Sequence, residues 1–225
     1  MESSLHALPV TRTAHYAMLG KPGPQIKKLW FVTHGYGQLA KTFVNRFSGV
    51  TDEETLVIAP EGLSRFYWGG FDGPVVASWM TREDRLDEIT DFCNMLDQLY
   101  ALYVPQCHPE TKIILLGFSQ GTATQVRWIM RSFPKFDYLM LWAGQLPEDL
   151  DYEPCLEYFT DKQLFFAYGD KDPFISPKRK VLMDQILRDS KLSFQPVPYA
   201  GVHKVDRKAL KAWWNGIDYK RTSSS

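Results

Sequence analysis

A four-residue aliphatic run, Ile113-Ile114-Leu115-Leu116, leads straight into Gly117-Phe118-Ser119-Gln120-Gly121, and a helix-like segment begins at Thr122. An apolar strand that becomes a helix across a glycine-flanked serine is a strand–turn–helix unit, and such units belong to parallel sheets with helices on their faces. The rest of the chain repeats the theme. Leu29-Trp30-Phe31-Val32-Thr33 and Thr55-Leu56-Val57-Ile58-Ala59 read as strands buried on both faces, the second stopped by Pro60. Further strands are expected at Lys112–Leu116, Tyr138–Trp142, Gln163–Tyr168 and Ser193–Val197. The expected class is therefore α/β, with a central, mostly parallel sheet flanked by helices.

Helical spacing is clearest from Arg82 to Tyr103, where Leu86, Ile89, Cys93, Leu96, Tyr100 and Tyr103 fall on one face. Thr81 and Asp84 resemble a capping box at its start, and Pro105 stops it. Other helices are expected over Lys41–Phe47, Gln120–Ser132, Pro177–Asp189 and Lys204–Asn215. His15–Leu19, followed by Gly20-Lys21-Pro22-Gly23-Pro24, reads as an edge strand forming an antiparallel hairpin with the strand at Leu29. Gly62 to Met80 is dense in aromatics and glycines without periodicity, and reads as a loop packed over a pocket.

With 225 residues, 44% of them hydrophobic, and no linker-like tract, the chain suits one domain over 1–225, with a disordered tail from about 219. Lys plus Arg equals Asp plus Glu at 26 each, so nothing draws the chain electrostatically to nucleic acid. Three unpaired cysteines (Cys93, Cys107, Cys155), a start without a signal-peptide pattern and the lack of any run of roughly 20 apolar residues together suit a reduced, cytoplasmic setting without integral membrane association. No H-E-x-x-H or paired Cys/His spacing supports a metal, and the sequence carries no signal of oligomeric state.

The glycines beside Ser119 let the chain turn so sharply that the hydroxyl stands clear at the positive end of the following helix, as a nucleophile requires. A serine nucleophile needs an imidazole base, and the base needs an orienting carboxylate. Of the five histidines, His6 lies near the terminus, His15 in an edge strand, His108 in a turn beside Pro109, and His34 ahead of the serine. His203, in the loop between the last strand and last helix, occupies the place that a serine-then-acid-then-histidine order requires. The acid comes from Gly169-Asp170-Lys171-Asp172-Pro173. Asp172, further into the loop, is favoured over Asp170, which sits where it would close a turn through backbone amides. The oxyanion of acyl transfer needs about two N–H donors. One is expected from the amide of Gln120 and the other from Tyr36, in the turn Thr33-His34-Gly35-Tyr36-Gly37.

His34-Gly35-Tyr36-Gly37, Gly117-Phe118-Ser119-Gln120-Gly121, Gly169-Asp170-Lys171-Asp172-Pro173 and Gly201-Val202-His203, in this order, resemble the phospholipase/carboxylesterase branch of the α/β-hydrolases, which includes acyl-protein thioesterases. The likeness runs from Leu29 to the last helix. It implies the α/β-hydrolase fold with the triad on loops at the carboxyl edge of the sheet, Asp172 as the triad acid, and the amides of Tyr36 and Gln120 as the oxyanion hole. The chain departs from acyl-protein thioesterases at Gln38, where they usually carry an aspartate, and in Pro60-Glu61-Gly62 with the aromatic stretch through Trp79. It has no insertion long enough for a helical lid, which argues against an interfacial triglyceride lipase.

The expected function is a cofactor-independent serine carboxylesterase acting on a small-molecule ester, with acyl thioesterase or lysophospholipase activity as the alternative and a non-catalytic binding module as the rival. Tyr67, Trp68 and Trp79 are the candidates for the acyl pocket. Trp213-Trp214 reads as helix packing, and Lys178-Arg179-Lys180 as a solvated first helical turn.

Overall fold

A computed structural model of the protein describes residues 3–222. In chain order the elements are β1 (Tyr16–Leu19), β2 (Lys28–Thr33), α1 (Ala40–Phe43), β3 (Thr55–Pro60), β4 (Ser64–Tyr67), β5 (Val75–Ser78), α2 (Arg85–Tyr103), β6 (Lys112–Phe118), α3 (Gln120–Ser132), β7 (Tyr138–Trp142), α4 (Leu156–Phe159), β8 (Gln163–Gly169), α5 (Pro177–Asp189), β9 (Phe194–Tyr199) and α6 (Arg207–Thr222). Seven strands form one sheet in the order β1-β3-β2-β6-β7-β8-β9, parallel except for β1, as the alternation of strands and helices implies. Among the described residues no inserted helical lid covers the sheet.

The pleat explains why the central strands are apolar throughout. Leu29, Phe31, Leu56 and Ile58 project into a layer with Phe92 and Leu96 of α2 and Trp128 and Ile129 of α3, while Trp30, Val32 and Val57 project oppositely, toward Phe43 of α1 and Trp213 and Trp214 of α6. Trp30 lies 4.8 Å from the Trp214 ring and 6.1 Å from that of Trp213, edge-on to both. This contact fastens α6 to the sheet, and truncating Trp30 to alanine would cost roughly 3–5 kcal/mol.

Four expectations need correction. β1 pairs with β3, Tyr16 opposite Pro60, and not with β2. The segment from Gly20 to Lys27 carries the chain past β3, so the tight turn closes no hairpin. Gly62–Met80 is not simply a loop: β4 and β5 form an antiparallel hairpin, tied to the main body where Gln38 bridges Ala77. Helix α2 begins at Arg85, because Asp84 adopts a left-handed conformation (φ 48°) and Glu88 accepts the amide of Thr81 at 2.5 Å. The capping box is thus replaced by a side chain reaching back along the chain. At the C-terminus α6 continues to Thr222, into the stretch expected to be a tail, whose residues 223–225 lie outside the described ones.

Candidate active site

Ser119 occupies the turn between β6 and α3, with φ 52° and ψ −116°. That backbone is strained for a residue with a side chain, and the surroundings enforce it. A Cβ on Gly117 would stand 2.4 Å from the Gly121 carbonyl oxygen, and one on Gly121 would stand 2.2 Å from that of Thr33. The turn is therefore as tight as it is because both flanking positions lack side chains. The Ser119 amide donates to Trp142 O (2.9 Å), locking the turn to the end of β7.

His203 Nε2 lies 3.0 Å from Ser119 Oγ, and its Nδ1 lies 2.7 Å from Asp172 Oδ2. The carboxylate side chain is fully buried and the imidazole is 18% exposed. With Asp172 accepting, the proton sits on Nδ1, and Nε2 is left to accept from the serine hydroxyl. The other carboxylate oxygen, Oδ1, accepts the Phe174 amide at 2.9 Å, so both oxygens are engaged. Asp170 does not meet the histidine. Its Oδ1 accepts the Gly201 amide at 2.8 Å, while its own amide donates to Tyr199 O and that of Lys171 to Gly201 O. These bonds zip the acid loop to the histidine loop.

Both carbonyls beside His203 are anchored by residues that motif reasoning passed over. The Trp142 indole donates to Lys204 O (2.9 Å), and the Tyr199 hydroxyl sits 2.8 Å from Lys204 O and 3.1 Å from Val202 O. Burial pushes the Tyr199 phenol above its ordinary pKa and keeps it a donor. The one sequence signal was position, since Trp142 and Tyr199 each close a strand at the carboxyl edge of the sheet. The imidazole itself is held between the rings of Phe118 (4.9 Å) and Phe174 (4.6 Å).

The loop after β2 passes directly over the serine, where a Cβ on Gly35 would lie 3.2 Å from Ser119 Cβ. Within the described residues the amides of Tyr36 and Gln120 donate to no protein acceptor. The neighbouring donors are occupied: Gly35 N by Gln38 Oε1 (2.9 Å) and Gly37 N by Ala77 O (2.9 Å). Gln38 thus braces the loop, at the position where a departure from the acyl-protein thioesterases was noted. The Gln120 side chain has a separate job. Its Oε1 lies 3.2 Å from the Trp79 amide and its Nε2 donates to Met80 O (2.9 Å), clamping the segment after β5 to the serine turn.

His34, set aside in the sequence, underlies this loop. Its ring is buried; Nε2 accepts the Gly62 amide (3.0 Å), which puts the proton on Nδ1, and Nδ1 donates to Gly35 O (2.7 Å). Burial lowers its pKa to about 4, against a weaker upward pull from the Gly35 carbonyl and Glu61. Of the three aromatics expected in the pocket, Trp68 stands at the surface with its ring 5.6 Å from Tyr36 and 6.2 Å from Phe66. Tyr67 is also exposed, but the pleat turns it to the opposite face of the hairpin from Phe66. Trp79 is a correction: it is 1% exposed, tilted against the His34 ring and edge-on to Phe92, and its indole donates to His34 O (2.8 Å). It supports the loop from beneath, and the groove it borders is lined by Leu63, Met95 and Leu99 and not by Ser119 or His203. Among the described residues no group of three or more His, Cys, Asp or Glu side chains is placed to hold a metal ion, and no helix is long and apolar enough to cross a membrane.

A parallel sheet with one antiparallel edge, carrying a strained serine after its fourth strand and an imidazole and carboxylate on later loops, defines an α/β-hydrolase. Residues 16–220 match the phospholipase/carboxylesterase family, and the chain belongs to it. Solved structures share the fold. Esterase PE8 superposes with a TM-score of 0.64 at 18% identity, over 92% of this chain and 100% of that one. Acyl-protein thioesterase 2 of Zea mays gives 0.63 at 16% identity over 91% and 99%, and a phospholipase/carboxylesterase from Dyadobacter fermentans 0.62 at 19% over 91% and 96%. No curated protein matches the chain in sequence.

Proposed function

We propose that the protein is a serine carboxylesterase whose whole chain serves as one catalytic domain. The observation that carries this reading is the unbroken series Ser119 Oγ, His203 Nε2, His203 Nδ1, Asp172 Oδ2, with links of 3.0 and 2.7 Å. Ser119 Oγ attacks the ester carbonyl carbon while its proton passes to His203 Nε2, and Asp172 stabilises the resulting imidazolium. The carbonyl oxygen, now an oxyanion, lies between the N–H groups of Tyr36 and Gln120. Collapse breaks the bond to the leaving oxygen, which takes the proton from His203. Water repeats the cycle on the acyl-enzyme, so no cofactor enters. Trp68 and Tyr36 offer an apolar wall for the acyl group, with Tyr67 at its margin. The reduced cytoplasm suits the three free thiols.

An acyl thioesterase or lysophospholipase is the second reading, favoured by the exposure of Tyr36 and Trp68, which leaves room for a long chain to run outward. Hydrolysis of a chromogenic ester series from acetyl to palmitoyl, with Ser119→Ala as blank, separates the two. A short-chain optimum supports the carboxylesterase and a long-chain optimum the alternative. A fluorophosphonate that fails to label Ser119 in folded protein would leave only a binding module.

A further inference from the structure

The basic tract at the start of α5 is exposed and borders a cavity. Lys178 and Arg179, with Val181 and Leu182 from the next turn, line a cavity of about 640 Å³ that also touches Gln145 and Ser176. Gln145 joins this cavity to the serine turn, because Thr122 Oγ1 lies 3.2 Å from Gln145 O and 2.7 Å from Ser119 O. Ser176 joins it to the acid loop, following Phe174, whose ring packs on His203. The cavity thus lies against a loop that touches the serine turn and against the end of the loop that carries the proposed acid.

Its lining is unusual for a helix surface. Val181 is 66% and Leu182 47% exposed, so apolar wall stands open where burial would be expected. Lys178 and Arg179 enter none of the ion pairs among the described residues. Lys180, by contrast, lies over the Tyr168 ring at 5.1 Å and lines no part of the cavity. An apolar wall beside two unpaired cations, one of them a guanidinium suited to planar anions, matches a short hydrocarbon stretch ending in negative charge. We propose that this cavity is a subsite for the part of the ester substrate remote from the scissile bond, and that this part ends in a carboxylate or phosphate. The proposal rests on Ser119 being the nucleophile.

The test compares p-nitrophenyl monoesters of straight-chain dicarboxylic acids with methyl-terminated esters of matched length. Wild type should favour the anionic series in kcat/KM by about fivefold, the contribution of two exposed cations. The ratio should fall to about one in Lys178→Gln/Arg179→Gln and invert in Lys178→Glu/Arg179→Glu, with neutral esters turned over at the wild-type rate. Competition by carboxylate-ended against phosphonate-ended alkanoates tells which anion is preferred. A wild-type ratio of one or below, or a ratio indifferent to the substitutions, overturns the subsite. Fluorophosphonate labelling of the same preparations separates the failures: labelled enzyme without anion preference refutes the subsite alone, whereas unlabelled folded protein refutes the hydrolase reading. In that case calorimetric binding of suberate and octanoate reads the subsite directly, and equal affinities in wild type and the double glutamine variant overturn it.

Discussion

Mild acid should destabilise this protein through one buried ring. His34 is neutral in the fold because Nε2 accepts the Gly62 amide, and a proton there would set two N–H groups against each other in a space without solvent. Burial holds the folded pKa near 4, below the ordinary 6.5. The unfolded chain therefore takes up a proton near pH 6.5 that the folded chain refuses until about pH 4. Stability contributed by the neutral ring is complete above the first value and drains away as pH falls toward the second. The full difference is on the order of 3 kcal/mol, and about 2 kcal/mol of it is gone by about pH 5. Urea unfolding of wild type and His34→Gln at about pH 7.5 and about pH 5 reads this directly, since the other four histidines cancel in the difference. The variant should be less stable at the higher pH, and the gap should narrow by about 2 kcal/mol at the lower one. A gap that stays constant with pH would refute the assignment of the acid sensitivity to His34.

Three further outcomes follow from the site. Asp172→Asn should reduce kcat by roughly 10³–10⁴-fold, while Asp170→Asn, which loses only a bond to the Gly201 amide, should cost about tenfold or less; steady-state kinetics in which Asp170→Asn is the worse variant would reverse the assignment. Gly121→Ala should destabilise by about 3 kcal/mol or more, because the new methyl meets backbone at Thr33 that cannot give way, and thermal unfolding checks it. Gln120→Glu retains the acceptor for the Trp79 amide but sets a carboxylate against Met80 O, costing about 1–3 kcal/mol near neutral pH. That deficit should shrink relative to wild type in acid, where the carboxyl regains a proton to donate, and Tm measured at both pH values decides it.

The proposed catalytic residues were legible because each sits in a local pattern that physics restricts: glycines around a sharp turn at Ser119, and loops after strands for Asp172 and His203. What the sequence hid is lateral. The partner of β1 depends on where the chain crosses between Gly20 and Lys27, and no local pattern encodes that crossing. The β4–β5 hairpin escaped notice because its strands span Ser64–Tyr67 and Val75–Ser78, too short for alternation to register beside three glycines. Trp79 looked like a pocket aromatic through its composition-rich neighbourhood, yet its place just after β5 drives it under the loop it supports. The roles of His34 and Gln38 lie in hydrogen bonds to backbone atoms, which leave no trace in residue spacing.

The position of β9 at the margin of the sheet has a consequence for how activity is lost. β9 is partly exposed, contains Pro196 and Pro198, and pairs with β8 alone, while the serine turn grows from β6 in the interior. His203 hangs from this outer strand through Tyr199. Local opening at an edge takes less free energy than global unfolding. Under denaturant the margin should therefore detach first, withdrawing the imidazole and the Tyr199 ring that covers Trp142 while Trp30 and Trp128 remain packed. Turnover would then fade at lower urea than most of the tryptophan fluorescence changes, and the protein would have a folded but silent state available to it.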